Sequence, residues 1–155
     1  MPKAIRVFLL CSLFSVPFLG FSPAHAAVFT NGNGVSSTCL DDRGGLTGNL
    51  NPIQSFPCNV TFAQEWNFVG LAIQGIGTTG AGGKCVDVTG GGTATGTLVE
   101  LFPCNGTGAQ QWEYINGFLL NLRSNKCLDV GNGAAGTQAT IHVCAFTAGQ
   151  RWVIR

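Results

Sequence analysis

Short runs of alternating apolar and polar residues predict β-strands along most of the chain. The clearest runs are residues 97–102, 110–115, 118–122 and 126–130. Clusters of Gly, Asn and Thr, such as residues 89–96 and 131–137, separate the runs and predict turns. No window after Ala26 has the 3.6-residue periodicity of an amphipathic helix. Because 23 of the 155 residues are glycines, the composition also disfavours helices, and the chain is predicted to be all-β.

The strand pattern occurs three times. Segments of the form Cys-x-Asp begin at Cys39, Cys85 and Cys127, and a second cysteine follows each after 19, 19 and 17 residues. A tryptophan stands eight residues after each second cysteine, and a glutamine precedes it by two places. These pairs are Gln64 and Trp66, Gln110 and Trp112, and Gln150 and Trp152. The first cysteines lie 46 and then 42 residues apart, which predicts three equivalent units.

Each unit is predicted to contain four strands, twelve in all. One such unit has a single apolar face and two open edges, so it is not stable alone. Three units closed around an axis bury their apolar faces together, each giving one hairpin to a barrel and one to its cap. Closure requires the strand at Val28 and Phe29 to lie beside the last strand around Val153, with the chain ends close together. The three tryptophans are expected in the core rather than in ligand sites.

The first 26 residues are predicted to be a secretory signal peptide. Lys3 and Arg6 form a cationic start, residues 7–21 are mostly apolar, and a small-x-small cleavage site ends at Ala26. The apolar run is shorter than the ~20 residues of a spanning helix. Cys11 lies too early in that run for lipoprotein attachment. We therefore expect a secreted protein, extracellular or periplasmic.

The cysteines of the mature domain, residues 27–155, number six. An even number in an exported chain predicts disulfides, and the close Cys-x-x-Cys pairs of a zinc site are absent, so no metal is expected. The repeat favours pairing inside units that cover about residues 27–69, 70–116 and 117–155. The expected pairs are Cys39–Cys58, Cys85–Cys104 and Cys127–Cys144, each stabilising by roughly 3 kcal/mol in the chain-entropy model.

Charge and glycine patterns exclude several function classes. Eight Lys and Arg balance seven Asp and Glu without a basic stripe, which disfavours a nucleic-acid partner. No segment after the signal peptide is long and apolar enough to span a membrane. Two G-x-G-x-x-G stretches, residues 75–80 and 131–136, are followed by strand patterns rather than by a helix, so no nucleotide cofactor is expected.

With its Q-x-W triplets and Cys-x-Asp segments, the chain resembles the ricin B-type lectin family, whose domains are β-trefoils and also serve as carbohydrate-binding modules. Two segments that end in Phe-Pro-Cys, residues 53–58 and 99–104, add to the resemblance, which covers the whole mature domain. It implies an all-β fold, a β-trefoil of three four-stranded repeats with pseudo-threefold symmetry. It also implies a lectin for glycans or a polysaccharide that needs no cofactor.

The resemblance further implies one shallow sugar pocket in each unit. In the family, an aspartate accepts hydrogen bonds from sugar hydroxyls, and a ring two residues before the second cysteine stacks on the sugar. A polar side chain four residues before that cysteine adds contacts, and the Q-x-W glutamine mainly holds the aspartate. The corresponding residues are Asp41, Gln54, Phe56 and Gln64 in unit one, Asp87, Glu100, Phe102 and Gln110 in unit two, and Asp129, Thr140, His142 and Gln150 in unit three.

One family contact is missing in every unit. Three residues before the tryptophan the family has an asparagine, and here Ala63, Ala109 and Gly149 take its place. We rank unit one first and unit three last, and expect galactose- or xylose-type sugars, bound alone or beside a secreted partner protein. Two alternatives stay open: the aspartates only cap turns, or the trefoil has lost sugar binding and acts as a protein-binding module or inhibitor.

No enzyme is predicted. His142 is the single histidine of the mature domain, and no nucleophile motif lies near it in the sequence, which disfavours a serine–histidine–aspartate mechanism. A glycosidase needs two carboxylates that face each other across a cleft. The pattern predicts no such opposed pair, because Glu65 and Glu113 occupy equivalent positions of one repeated strand.

Overall fold

The computed structural model describes residues 26–32, 38–78 and 83–155, which form twelve short strands. The signal peptide expected at residues 1–26 lies outside the described residues except for Ala26. Unit one contains β1 (Phe29–Asn31), β2 (Thr38–Asp42), β3 (Asn51–Pro57) and β4 (Trp66–Val69). Unit two contains β5 (Ala72–Gly75), β6 (Lys84–Val88), β7 (Val99–Pro103) and β8 (Trp112–Ile115). Unit three contains β9 (Phe118–Asn121), β10 (Lys126–Asp129), β11 (Thr140–His142) and β12 (Trp152–Ile154).

All the strand pairs are antiparallel, and they include one between the first and the last described strand. Eight strands lie in the order β12-β1-β2-β3-β7-β6-β5-β4, and the other four in the order β11-β10-β9-β8. The first strand pairs with the last, with Phe29 opposite Ile154. The backbone N–H groups of Val28 and Arg155 each donate to the other residue's carbonyl at 3.0 Å. The predicted closure between the first and last strands is therefore confirmed.

The tryptophans occupy the centre of the core, as predicted from their place in the repeat. Each is at most 1% exposed and packs with apolar side chains from all three units. Each indole N–H donates to a backbone carbonyl of the Cys-x-Asp strand of the same unit, so the indole ring is buried without losing its hydrogen bond. The pairs are Trp66 with Leu40 (3.1 Å), Trp112 with Val86 (2.9 Å) and Trp152 with Leu128 (3.3 Å).

Two strand starts differ from the sequence pattern. The run predicted at 110–115 begins as a strand only at Trp112, because residues Gly108–Gln110 form a 3-10 turn. The run predicted at 97–102 begins as a strand at Val99, after a turn in which the N–H of Thr97 donates to the Ala94 carbonyl. Alternation of apolar and polar residues continues through such turns, so it does not mark where pairing starts.

The three disulfides are those expected from the repeat. Cys39 pairs with Cys58, Cys85 with Cys104 and Cys127 with Cys144, and the Cα atoms lie 5.1 Å apart in each pair. Each disulfide links the Cys-x-Asp strand of a unit to the segment that follows the next strand. Among the described residues, no helix has the length and apolar character needed to cross a bilayer.

Candidate functional site

Every Cys-x-Asp strand carries an aspartate that is held by the Q-x-W glutamine of its own unit. The glutamine amide donates to one carboxylate oxygen and to a backbone carbonyl, and its oxygen accepts a backbone N–H. The Nε2-to-carboxylate distances are 2.9 Å for Gln64 and Asp41, 2.8 Å for Gln110 and Asp87, and 2.8 Å for Gln150 and Asp129. A 3-10 turn before each tryptophan brings the glutamine to this position. The glutamines therefore orient the acids, as the resemblance implies.

Pocket one is a cavity of about 740 Å³ above the end of β2, lined by Asp41, Gln54 and Phe56 among others. Asp41 and Gln54 lie opposite each other on β2 and β3, and the Gln54 amide donates to Asp41 Oδ1 at 2.7 Å. Asp41 is only 3% exposed, whereas the Phe56 ring is 38% exposed. The structure thus brings together an oriented carboxylate and an accessible aromatic ring in unit one.

Arg43 is a residue of pocket one that the sequence analysis did not identify. It begins the 3-10 turn Arg43–Gly45, and its Nε donates to Gln54 Oε1 at 2.8 Å. Its guanidinium also donates to the backbone carbonyl of Gly136, in unit three, at 3.2 Å. Because Arg43 occupies the amide oxygen, the amide nitrogen of Gln54 must point to Asp41. The signal available in the sequence was a cation two residues after the aspartate.

Asp42 lies beside Asp41 in pocket one and has an unusual pKa. Its side chain is 4% exposed, and Asn51 donates a hydrogen bond to its Oδ1. Burial raises the pKa of Asp42 to about 7, the hydrogen bond from Asn51 lowers it, and the negative charge of Asp41 raises it. Around neutral pH, pocket one therefore holds an acid, Asp42, that is partly protonated.

Pocket two is a cavity of about 420 Å³ in the equivalent place of unit two, lined by Asp87, Glu100 and Phe102 among others. Asp87 and Glu100 are opposite each other on β6 and β7, and Phe102 is partly exposed. Burial raises the pKa of Asp87, the hydrogen bond from Gln110 lowers it, and the negative charge of Glu100 raises it. Unit two thus also joins a held carboxylate to a ring, and it adds a second carboxylate.

The outer rims of the two pockets carry different side chains at one place. In pocket one, Phe62 is 68% exposed and stands over Gly77, where a Cβ would lie 3.3 Å from Phe62 Cβ. In pocket two, Gly108 takes the place of Phe62 and Arg123 that of Gly77, and a Cβ on Gly108 would lie 3.0 Å from Arg123 Cβ. The large side chain at the rim of pocket one is therefore Phe62, from the turn before the tryptophan. At the rim of pocket two it is Arg123, from the turn between β9 and β10. The sequence analysis identified neither Phe62 nor Arg123.

Unit three holds its aspartate differently. Asp129 Oδ1 accepts the backbone N–H of Gly131 at 2.6 Å, and the Val130 N–H donates to the Gly149 carbonyl at 3.0 Å. A Cβ on Gly149 would overlap the Gly131 carbonyl and lie 2.8 Å from Asp129 Oδ1. The loop of unit three therefore lies directly against the aspartate.

The remaining residues expected in the third pocket, Thr140 and His142, lie on β11, and Asp129 itself is 9% exposed. The hydroxyl of Thr140 donates to the backbone carbonyl of Asp129 at 3.4 Å. His142 lies opposite Cys127 and is half-buried. Within residues 26–32, 38–78 and 83–155, no three His, Cys, Asp or Glu side chains are placed to hold a metal ion. The chemistry that the described sites offer is hydrogen-bond acceptance beside an aromatic ring.

The comparisons with known proteins agree with this architecture. A family model described as the ricin-type beta-trefoil lectin domain matches residues 29–154. No curated protein sequence matches the chain. Among solved structures, the designed threefold-symmetric protein ThreeFoil is similar with a TM-score of 0.74 and 21% identity, over 83% of this chain and 96% of that one. The C-half of the earthworm R-type lectin, solved with GalNAc, is similar with a TM-score of 0.68 and 13% identity, over 83% and 97%.

A third solved structure is longer than this chain. It is a non-toxic homologue of type II RIPs from Momordica charantia (bitter gourd), in complex with α-methyl-D-galactoside. Its TM-score is 0.70 at 23% identity, over 86% of this chain and 48% of that one. At these identities the likeness concerns the fold, and the predicted β-trefoil of three four-stranded repeats is confirmed.

Proposed function

The chain belongs to the ricin-type β-trefoil lectin domain family, and on that premise we propose that units one and two each bind a sugar of the galactose or xylose type. The observation that carries the proposal is an oriented carboxylate beside an accessible phenyl ring, present in two equivalent pockets. A pyranose has an apolar face and a rim of hydroxyls, so it fits a ring beside an acceptor. The galactoside and GalNAc named with the similar lectins support this sugar class.

Asp41 and Asp87 would accept hydrogen bonds from two adjacent sugar hydroxyls, and Phe56 and Phe102 would stack on the apolar face. Gln54 and Glu100 add polar contacts at the pocket floor, and Gln64 and Gln110 hold the acids. One open pocket of this type binds weakly, with a Kd on the order of 1 mM, or about −4 kcal/mol. Two pockets on one molecule would increase the avidity for a polymer or a cell surface.

The binding is proposed to occur without catalysis. Asp87 and Glu100 are neighbours across one strand pair, so they share one floor instead of facing each other across a bound sugar. We further propose export of the chain, with a signal peptide at residues 1–26 and a mature domain at 27–155. The three disulfides support this location, because they persist in oxidising compartments.

Unit three is left out of the proposal. Its loop lies against the acid, with the Gly131 N–H bonded to Asp129 Oδ1 and Gly149 packed beside the same oxygen. The residues Asp129, Thr140, His142 and Gln150 are therefore proposed to have a structural role in this chain. This difference also supplies an internal control for the binding experiment.

The test is titration calorimetry with galactose and with xylose on the wild type and on Asp41→Asn, Asp87→Asn and the double variant. We expect two sites in the wild type, one in each single variant and none in the double variant. The substitution keeps the size of the side chain but removes the charge that strengthens the hydroxyl contacts. The matched control is Asp129→Asn, which should retain both sites.

Circular dichroism should first establish that each variant folds. An unchanged affinity in the double variant would mean that the acids are not the sugar contacts. Binding of a protein partner that free sugar does not displace, together with no sugar heat, would instead favour the protein-binding alternative.

A further inference from the structure

The floor of pocket one is neutralised by donors that pocket two lacks. In pocket one, Gln54 Nε2 donates to Asp41 Oδ1 at 2.7 Å, and Arg43 donates to Gln54 Oε1 at 2.8 Å. In pocket two the residue equivalent to Gln54 is Glu100, which has no N–H to donate. The residue equivalent to Arg43 is Thr89, which is not a cation. Pocket two therefore lacks both donors at the corner that Asp87 and Glu100 form.

The result is a carboxylate that has no partner among the described residues. Glu100 is 8% exposed and lines pocket two, and among the described residues no hydrogen bond or ion pair reaches its carboxylate. Asp87 receives Gln110 on Oδ2, while no described side chain donates to its Oδ1. Like charges opposite each other on paired strands repel, so this corner favours a ligand that brings donors and positive charge.

Arg123 does not supply that charge. Its guanidinium lies at the outer rim, where Cζ is 3.6 Å from the position that a Cβ on Gly91 would have. Among the described residues, no carboxylate oxygen lies within 4.0 Å of the guanidinium nitrogens. The other elements around the pocket, the 3-10 turns Thr89–Gly91 and Gly108–Gln110, carry no charged side chain. The charged groups that face the ligand are therefore Asp87, Glu100 and Arg123.

We propose that pocket two binds the ammonium group of a free amino sugar, held between Asp87 Oδ1 and Glu100. The inference rests on the proposed sugar-binding function and adds the substrate class of one pocket. The ammonium group donates to Asp87 Oδ1, the oxygen equivalent to the one that Gln54 Nε2 bonds in pocket one. An ammonium has three N–H donors, enough for both carboxylates, and such charge-assisted bonds are stronger than neutral ones. An N-acetylated sugar has one N–H and no charge, so it lacks this advantage.

The experiment is titration calorimetry of the full chain at pH 6.5 with three probes: D-galactosamine, D-galactose and N-acetyl-D-galactosamine. We expect one of the two sites to bind galactosamine about tenfold more tightly than galactose. Glu100→Gln should reduce that ratio to about one, because it removes one of the two carboxylates that hold the ammonium group. Gln54→Glu, combined with Arg43→Thr so that no cation pairs with the new carboxylate, should create a second site with the preference, and Arg123→Gln should strengthen galactosamine binding a few-fold.

The outcomes separate this inference from the proposed function. Galactose binding without any preference for galactosamine, or a preference that survives Glu100→Gln, overturns the amino-sugar site and leaves the lectin function intact. The absence of heat with all three probes overturns both. Because Gln54→Glu combined with Arg43→Thr gains a property, its success does not depend on whether Glu100→Gln is fully stable.

Discussion

At the scale of single residues, the glutamine before each tryptophan determines where its aspartate points. Gln64, for example, donates to Asp41 and to the Pro57 carbonyl, and accepts the N–H of Asn59. The same three bonds occur at Gln110 and Gln150. Burying a carboxylate costs free energy, and hydrogen bonds offset that cost, so the glutamine helps to keep an acid at the pocket floor. This role follows from the sequence pattern and is visible in all three units.

For Asp42, burial outweighs its hydrogen bond and favours the protonated form of the carboxyl group. Its pKa is about 7 in the folded protein, against about 3.9 in an unfolded chain. Between these values the folded state binds more protons than the unfolded state, so the free energy of unfolding falls as the pH rises from about 4 to about 7. We expect Asp42→Asn to remove this loss. The variant should be more stable than the wild type by roughly 2–4 kcal/mol at pH 8 and nearly equal to it at pH 4.

Urea unfolding of both proteins at several pH values measures this difference. The matched control is Glu113→Gln, at an exposed carboxylate, which should give no pH-dependent gain. If the stability difference between Asp42→Asn and the wild type were the same at pH 4 and pH 8, the ionisation of Asp42 would not be its cause.

At the scale of elements, the loop after each Cys-x-Asp strand determines what lies beside its aspartate. In units one and two this loop begins with a 3-10 turn, Arg43–Gly45 or Thr89–Gly91, and the turn forms part of the pocket wall. Thirteen residues separate Asp41 from Gln54, but eleven separate Asp129 from Thr140. The shorter loop has no such turn and bonds Asp129 directly through Gly131.

This packing predicts that a glycine-to-alanine substitution lowers the stability of the protein at Gly149 but not at Gly48. We expect Gly149→Ala to destabilise the protein by about 2 kcal/mol or more, because its Cβ would overlap the Gly131 carbonyl. The control is Gly48→Ala, since a Cβ there meets nothing within 4 Å and its φ is not positive. That variant should be neutral or slightly stabilising. Thermal unfolding of both variants is the measurement, and equal shifts would contradict the closed loop of unit three.

At the scale of the whole molecule, three units share one core and the two chain ends meet. The tryptophans lie at the centre, and the isolated bridges Gln54–Gln138 and Leu98–Thr140 connect unit three to the other two. The ends are joined through paired bonds between Val28 and Arg155. Stability therefore belongs to the closed trefoil, since no unit buries its apolar face alone.

A circular permutant tests this statement. Joining Arg155 to Ala27 with a short Gly/Ser linker, and opening the chain in the exposed turn between Gly70 and Leu71, keeps every strand pair and every disulfide. We expect native circular dichroism and an unfolding midpoint within a few degrees of the unpermuted domain. A permutant opened between Ile53 and Gln54, inside buried β3, should not fold. Equal behaviour of the two permutants would contradict the closure.

Much of the fold was predictable because the repeated residues act over short distances. Each Gln and Trp lie two residues apart, and the cysteine pairs close loops inside one unit. Repeated local spacing imposes the same strands and the same buried indoles three times. The exact strand starts were not predictable, because Gln110 obeys the apolar–polar alternation while its backbone is in a turn.

The amino-acid sequence by itself thus determined the trefoil, its disulfides and the acid that each glutamine holds. Only the tertiary structure decided which acids lie in open pockets and what surrounds them. Arg43 reaches the Gly136 carbonyl of another unit, and Arg123 fills the space above Gly108. These side chains come from separate segments and meet only when the units pack. For that physical reason, equal motifs produced two unlike pockets and one closed loop.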